Sequence, residues 1–484
     1  MHFSLEPGGK YAVMQGDQLE EVREHFSVKN DAAPFTRKYC KFVPARYYAI
    51  TPTGRFDPPL LLEILKFLLS THCGLKIVVE DTLKAAISPS EVNWQGRPLF
   101  NPEPYKLTLD LRDYQEEIVR KCLQAGRGTV VLATAGGKTL AMASLISRVS
   151  TFYSEDAKFK CLVIVPDIGL VHQTYNDFLS YNVPFTFSKW TGNDDLQLAS
   201  NVIIANAGIL QSEKSNTTWI DFVDLLVVDE VHKIRKGNKI TDLIKAIKTP
   251  CKFGFTGTMP ESLLDQWNII GKIGSVLYER DSNTLRKDKY IADVCCQIIE
   301  LSHNSSPEPV SDKMKAYRSE LEFIINSSFR NNLIAKLANN VTKNCLILID
   351  FIRHGNILEE VLKKKCTDKQ VFFIQGSVEV DEREKIKQLM EANANVVVIA
   401  ISKIFSTGIN IKNLHYILFA GGGKAKIRVV QSIGRGLRLH ATKTKLILLD
   451  IADNLKYGNR HAGKRQNLYE KENIPFTIKE IKET

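Results

Sequence analysis

Two sets of short apolar runs, each rich in β-branched residues and separated by amphipathic stretches, constrain this chain more than any other feature of its sequence. Thr129–Ala133, Cys161–Val165, Val202–Ala205, Leu225–Val228 and Phe253–Thr256 make up the first set. Cys345–Ile349, Val371–Ile374, Val396–Ile401, Tyr416–Phe419 and Leu446–Leu449 make up the second. A strand that is apolar on both faces must be covered on both faces, and a parallel sheet between two layers of helices does this. Segments such as Gly169–Leu179, which lie between the runs, have the amphipathic pattern of covering helices. The sequence therefore predicts two α/β units of five parallel strands each, roughly 150–170 residues long. With 484 residues the chain also exceeds the ~250–300 residues at which single cores stop growing.

The join between the units falls in Gly271–Glu300, with Leu301–Pro309 (LSHNSSPEP) the most loop-like stretch nearby. A helix-rich stretch from Val310 to Asn340 opens the second unit. The chain ahead of the first unit has another texture: Pro7, Pro34, Pro44, Pro52, Pro58 and Pro59 lie among aromatics, with one clear helix at Leu60–Ser70. That pattern predicts a small α+β domain. The expected layout is an N-terminal accessory domain at 1–103, a first lobe at 104–285, a second at 286–455 and a basic C-terminal extension at 456–484.

Composition narrows the function classes. A net charge of +11 favours a polyanionic partner. The nine cysteines form no C-x-x-C pair, which argues against a zinc ribbon and for reduced, packed thiols. No apolar run reaches the ~18–20 residues needed to cross a bilayer, and the start MHFSLEPGGK lacks the pattern of a secretory signal. The expectation is a cytoplasmic protein with no membrane partner, acting as a monomer.

Val130–Leu140 (VVLATAGGKTL) runs from an apolar strand through a turn of small residues into a helix. Small residues at Thr134, Ala135, Gly136 and Gly137 let backbone N–H groups approach phosphate oxygens. Lys138 then reaches the β- and γ-phosphates, and Thr139 ligates Mg²⁺. Leu132 departs from the pattern, standing where a G-x-x-x-x-G-K-[ST] loop has its first glycine. Leu225–His232 (LLVVDEVH) is a strand ending in two acids, and the tip of a parallel strand faces the ligand crevice. Asp229 would hold Mg²⁺, and Glu230 would orient the water that attacks the γ-phosphate. Arg435 and Arg438 in QSIGRGLR (431–438) share one helix face, and their guanidinium groups suit a transferring phosphoryl group.

The ordered series LRDYQ (111–115), ATAGGKT (133–139), IVPDIGLVHQ (164–173), DEVH (229–232), FTGT (255–258), FSTGINIKNL (405–414) and QSIGRGLR (431–438) resembles superfamily 2 helicases. Within them, IQGSVEVDERE (374–384) and ISKIFSTGINIKNLHYILFAGG (401–422) are similar to bacteriophage UvsW-type branched-DNA helicases. The resemblance implies two tandem RecA-like lobes, ATP and Mg²⁺ as cofactors, and an ATP-hydrolysing motor on DNA in replication, recombination or repair. It implies adenine contacts by Arg112 and Gln115, a nucleotide-site role for Gln431, and Thr256 and Thr258 as links between ATP and lobe movement. It makes His232 a relay to the second lobe. Ser406, Thr407 and Gly408 would meet the nucleic-acid backbone or the nucleotide sugar, while Asn410 stands where many relatives have Asp.

A motor that tolerates any sequence grips phosphates. Lys424, Lys426 and Arg428 before Gln431, and Arg353 after the strand Cys345–Ile349, are candidate backbone contacts, each also readable as a solvated charge. In Phe35–Phe56, Arg37, Lys38 and Arg46 alternate with aromatics, a pattern that suits duplex or junction DNA and equally an antiparallel sheet with one wet face. Branched, duplex and single-stranded DNA are the expected partners. An RNA remodeller, or a duplex translocase that separates no strands, is the alternative.

Overall fold

A computed structural model describes residues 1–30, 33, 43–87, 107–153, 159–212, 217–234, 239–308, 311–375, 380–402, 411, 413–421, 437, 443 and 445–483. The chain divides into two compact units, one of residues 1–132 and 137–280, the other of residues 133–136 and 281–484.

The first unit is built on a seven-stranded sheet, with every neighbouring pair parallel. From edge to edge the order is Val276–Arg280, Gly128–Leu132, Lys252–Thr256, Leu225–Asp229, Cys161–Val165, Val202–Asn206 and Phe187–Trp190. The five predicted strands occupy the middle and are buried almost throughout. The two additional strands are the edges. Each mixes charged and apolar residues, because an edge strand is half exposed and loses the all-apolar signature. Helices Lys138–Ser150 and Ile168–Tyr181 cover the sheet; the second starts where the Asp167 carboxylate accepts the Leu170 N–H at 3.0 Å.

A second seven-stranded, all-parallel sheet forms the other unit, in the order Gln370–Ile374, Val396–Ile401, Cys345–Ile349, Tyr416–Phe419, Lys445–Asp453, Asp293–Ser302 and Phe476–Lys482. The two units divide between Arg280 and Asp281, within the stretch expected to hold the join, and strands Val276–Arg280 of one sheet and Asp293–Ser302 of the other flank that point. One sequence expectation is corrected here: the basic tail, expected as an appended helix or extension, does form helix Lys456–Lys471 but then continues into the strand Phe476–Lys482, which pairs with Asp293–Ser302 as part of the sheet. That strand reads as polar because it is an edge, exposed along most of its length. The predicted helix-rich stretch is present as Lys313–Asn326 and Ser328–Asn340, and Ile334, Ala335 and Ala338 of the latter join the core against Ile347 and Ile349.

The N-terminal residues form a four-stranded mixed sheet with helices Leu19–His25, Leu61–Thr71 and Asp81–Ile87, and a short hairpin pairs Ser27–Lys29 with Arg46–Tyr48. This part is continuous with the first lobe rather than a separable appendage. Its core of Phe3, Met14, Phe26, Phe56, Ile64 and Leu68 includes Ile270 from the lobe helix Leu263–Lys272, and Phe26 packs on Trp267 with ring centroids 5.2 Å apart. Asp57 forms ion pairs with Lys245, at 2.9 Å, and with Lys272. Gly271 is required for that approach, since a Cβ there would lie 2.8 Å from the Asp57 Cβ. The Arg127 guanidinium, donating to the Ala86, Lys272 and Ile273 carbonyls, joins the two parts again.

Removing the carboxylate leaves two largely buried ammonium groups uncompensated. Asp57→Ala is therefore expected to destabilise the protein by about 3 kcal/mol, to be measured by urea denaturation. Unchanged stability would mean that Lys245 and Lys272 reach solvent without it.

Candidate functional site

The chemistry-bearing residues of the first lobe collect at the carboxyl ends of its central strands, the end at which ligands bind in parallel α/β sheets. The strand Gly128–Leu132 ends in a turn in which Ala135 has a left-handed φ of 69° and the Gly136 N–H donates to the Ala133 carbonyl at 3.0 Å. Gly137, at φ 83°, caps the helix Lys138–Ser150. Glycine is needed at this cap twice over: for its backbone conformation, and because a Cβ would sit 2.3 Å from the Gln115 amide nitrogen. Lys138 and Thr139 thus open a helix whose unpaired N–H groups and dipole favour an anion. The Lys138 Nζ makes one long contact, 3.4 Å to the Leu132 carbonyl.

Gln115 is buried. Its Oε1 accepts the Arg112 N–H at 2.9 Å and its Nε2 donates to the Gly137 carbonyl at 3.3 Å, so this segment holds the phosphate-type turn directly. Arg112 donates to the Tyr114 hydroxyl at 2.8 Å, and the buried Tyr114 ring lies beneath the Arg280 guanidinium.

Asp229 ends its strand, and Glu230 follows in a left-handed conformation at φ 49° with its N–H donating to Asp229 Oδ1 at 2.8 Å. Burial, and then the Glu230 charge, push the Asp229 carboxyl up, against the opposing pull of Lys138. Burial also pushes Glu230 upward, but Lys138 and His232 outweigh it and hold that carboxyl below the usual range. Asp229 is thus the more easily protonated carboxyl of the pair and Glu230 the one held ionised.

His232 Nδ1 lies 2.9 Å from Thr256 Oγ1 and 3.2 Å from Glu230 Oε2. The Thr256 hydroxyl donates its one hydrogen to the Thr258 carbonyl at 2.9 Å, so His232 Nδ1 carries the proton and Thr256 accepts it. His232, Thr256 and Thr258 therefore form one hydrogen-bonded chain, with Glu230 in ionic contact at its histidine end.

Loss of the imidazole in His232→Ala leaves the buried Glu230 carboxylate with less support. Turnover should fall about 10–100-fold with ATP affinity retained, and the acid limb of the pH profile should move to higher pH because the Glu230 carboxyl rises. An unshifted limb would remove His232 from this role.

The candidate nucleic-acid contacts are placed less favourably. Arg353 is exposed and pairs with Glu322 at 2.6 Å. Arg46 pairs with Glu24 at 3.4 Å and donates to the Ser27 hydroxyl, as a residue of the antiparallel hairpin. Arg37, Lys38, Ser406, Thr407, Gly408, Asn410, Lys424, Lys426, Arg428, Gln431, Arg435 and Arg438 lie outside the described residues.

Sequence reasoning missed a buried charge network in the second lobe. Arg330 is wholly buried and donates through Nε to both Asp453 oxygens and through Nη2 to the Ala420 carbonyl at 2.9 Å, while His303 Nε2 lies 2.9 Å from Asp453. Arg465 and Tyr469 bind Asp450 in the same way. The available signal was a pair of acids inside the apolar run KLILLDIAD, since buried charges need partners.

Comparison with known proteins agrees with this arrangement. Residues 108–261 match the model of the type III restriction enzyme res subunit, and residues 329–440 match the helicase conserved C-terminal domain. The ATP-dependent DNA helicase uvsW of Enterobacteria phage T4 is 29% identical over 354 residues, covering 70% of this chain and 68% of its own length. The DNA 3'-5' translocase XPB2 of Sulfurisphaera tokodaii is 23% identical over 374 residues, covering 70% of this chain and 81% of its own. A fragment of the HsdR subunit of a type I restriction enzyme from Vibrio vulnificus YJ016 shares the fold, with a TM-score of 0.57 at 15% identity over 81% of this chain and 71% of that one. With helicase models matched in chain order on both units, the chain belongs to the superfamily 2 helicases.

Proposed function

We propose that this protein is an ATP-dependent DNA helicase or translocase that unwinds or branch-migrates forked and junction DNA. The observation that carries the ATPase part is the convergence of Lys138, Asp229, Glu230, His232 and Thr256 at one end of the first sheet. In this scheme the 134–139 turn wraps the phosphates and Glu230, held ionised, polarises the attacking water. Arg435 and Arg438 neutralise charge on the transferring group. The Thr139 hydroxyl and the Asp229 carboxylate are hard oxygen donors that suit Mg²⁺, which takes one or two protein ligands and completes its shell with water and phosphate. When bound, the ion would screen the phosphate charge.

The choice of DNA rests on the likeness to the uvsW helicase, and the branched substrate on the segments at 374–384 and 401–422. Net charge of +11 supports a nucleic-acid partner. No helix among the described residues is long and apolar enough to cross a membrane.

The deciding experiment measures ATP turnover with single-stranded DNA, duplex DNA, a four-way junction and RNA in parallel. Strongest stimulation by the junction is expected. Equal stimulation by RNA would favour the remodeller, and turnover by duplex without strand separation would favour the translocase. Because the N-terminal part shares a core with the first lobe, its role in DNA binding is better tested by charge substitution at Arg37, Lys38 and Arg46 than by deletion.

A further inference from the structure

Opposite the nucleotide end of the first sheet, the N-terminal part and the lobe line an open cavity of about 480 Å³. It lies at the amino ends of the strands: Arg127 immediately precedes Gly128–Leu132, and Thr249, Pro250 and Lys252 surround the start of Lys252–Thr256. Five-residue strands separate it by about 16 Å from Lys138 and Asp229, so it is no part of the site described above. The volume lies within the range that takes small ligands.

Its lining is charged in one sense. Among the described residues it contains five lysines and one arginine, against the single carboxylate of Asp57. That carboxylate is already shared between Lys245 and Lys272. Lys248 and Lys10 are exposed, and Lys248 pairs with the exposed Asp221 at 2.8 Å. Two of the three ammonium donors of Lys252 go to the Ile244 and Ile247 carbonyls, both at 2.7 Å.

The surplus is costly to the fold. Burial first, then the Arg127 and Lys272 charges, lowers Lys252 to about 7, and burial lowers Arg127 to about 10. The Arg127 and Lys272 charges repel that of the buried Lys252, and an anion among them removes the repulsion. Lysine is a point-charge binder of phosphate, which carries more negative charge than a carboxylate.

We propose that this cavity is a second anion site, which binds a phosphate group between the N-terminal part and the first lobe. Free phosphate and the terminal phosphate of a DNA strand share this chemistry. Bound there, the group would tie Lys10 of the N-terminal part to Lys248 and Lys252 of the lobe.

The test is a calorimetric titration of the full chain with inorganic phosphate at constant ionic strength, in the wild type, in Lys138→Ala and in Lys10→Ala/Lys248→Ala. Both residues of the double variant are exposed, so its fold should survive, as circular dichroism would establish. Saturable binding is expected to persist in Lys138→Ala and to weaken by at least about tenfold in the double variant. No saturable binding at millimolar phosphate, loss of binding in Lys138→Ala, or equal affinity in the double variant would each overturn the proposal. Competition by a 5′-phosphorylated oligonucleotide but not its 5′-hydroxyl form would assign the site to DNA ends. Absence of competition by both would assign it to free phosphate.

Discussion

Lys138→Ala is expected to abolish ATP hydrolysis while leaving the protein folded. The side chain opens a helix at the carboxyl end of the sheet and, among the described residues, makes a single hydrogen bond, the long 3.4 Å contact to the Leu132 carbonyl, so no core there depends on it. Its charge, however, opposes those of Asp229 and Glu230. Without it, the two buried carboxylates lose their shared cation, protonation of one becomes easier, and the γ-phosphate loses its cation at the same time. ATPase assays and circular dichroism on the same preparation test this. Turnover above about a tenth of wild type, well short of the loss expected for a phosphate-loop lysine, would rule out that role. Glu230→Gln separates the functions: the amide keeps the shape and should retain ATP binding, yet it cannot polarise water, so hydrolysis stops.

An equally large effect is expected from the other half of the motif series. Arg438→Ala should lower the hydrolysis rate by about 10³-fold or more and change ATP affinity little, as for an arginine that meets charge only in the transition state. Arg435→Ala should act in the same direction or more mildly. Single-turnover hydrolysis at saturating DNA, together with nucleotide binding, distinguishes the two quantities. Normal hydrolysis in both variants would make these arginines surface charges and remove the second lobe from the reaction.

Legibility in the sequence followed burial. All ten apolar runs are strands; nine are interior strands whose burial on both faces shows in their composition, and the tenth, Gln370–Ile374, is an edge that keeps an apolar run. Phe187–Trp190, Val276–Arg280 and Phe476–Lys482 escaped notice as edges, where solvent dilutes the pattern, and the interior strand Asp293–Ser302 escaped because polar residues interrupt its apolar run. Among site residues, the Gly136–Thr139 turn and the Asp229–Glu230 pair were legible as local motifs tied to a strand end. The pairings of Gln115 with Gly137 and of His232 with Thr256 were not, since they join residues 22 and 24 positions apart. Only the fold brings such positions together. The same holds for Asp57 with Lys245 and Lys272, and it is why the N-terminal part reads as a separate domain in sequence and as a portion of the first lobe in three dimensions.

The outer strand Phe476–Lys482 has a consequence for how the second lobe is made. Its partner is Asp293–Ser302, and the hydrogen bond between Ser302 and Glu480 spans 178 positions. Closing so long a loop must precede the reward of pairing, which slows folding. Throughout that interval the growing polypeptide presents the Asp293–Ser302 backbone as a bare template for other chains. Synthesis rate and chaperone supply should therefore govern the yield of active protein, and a peptide copying residues 476–482 would act as an inhibitor of refolding.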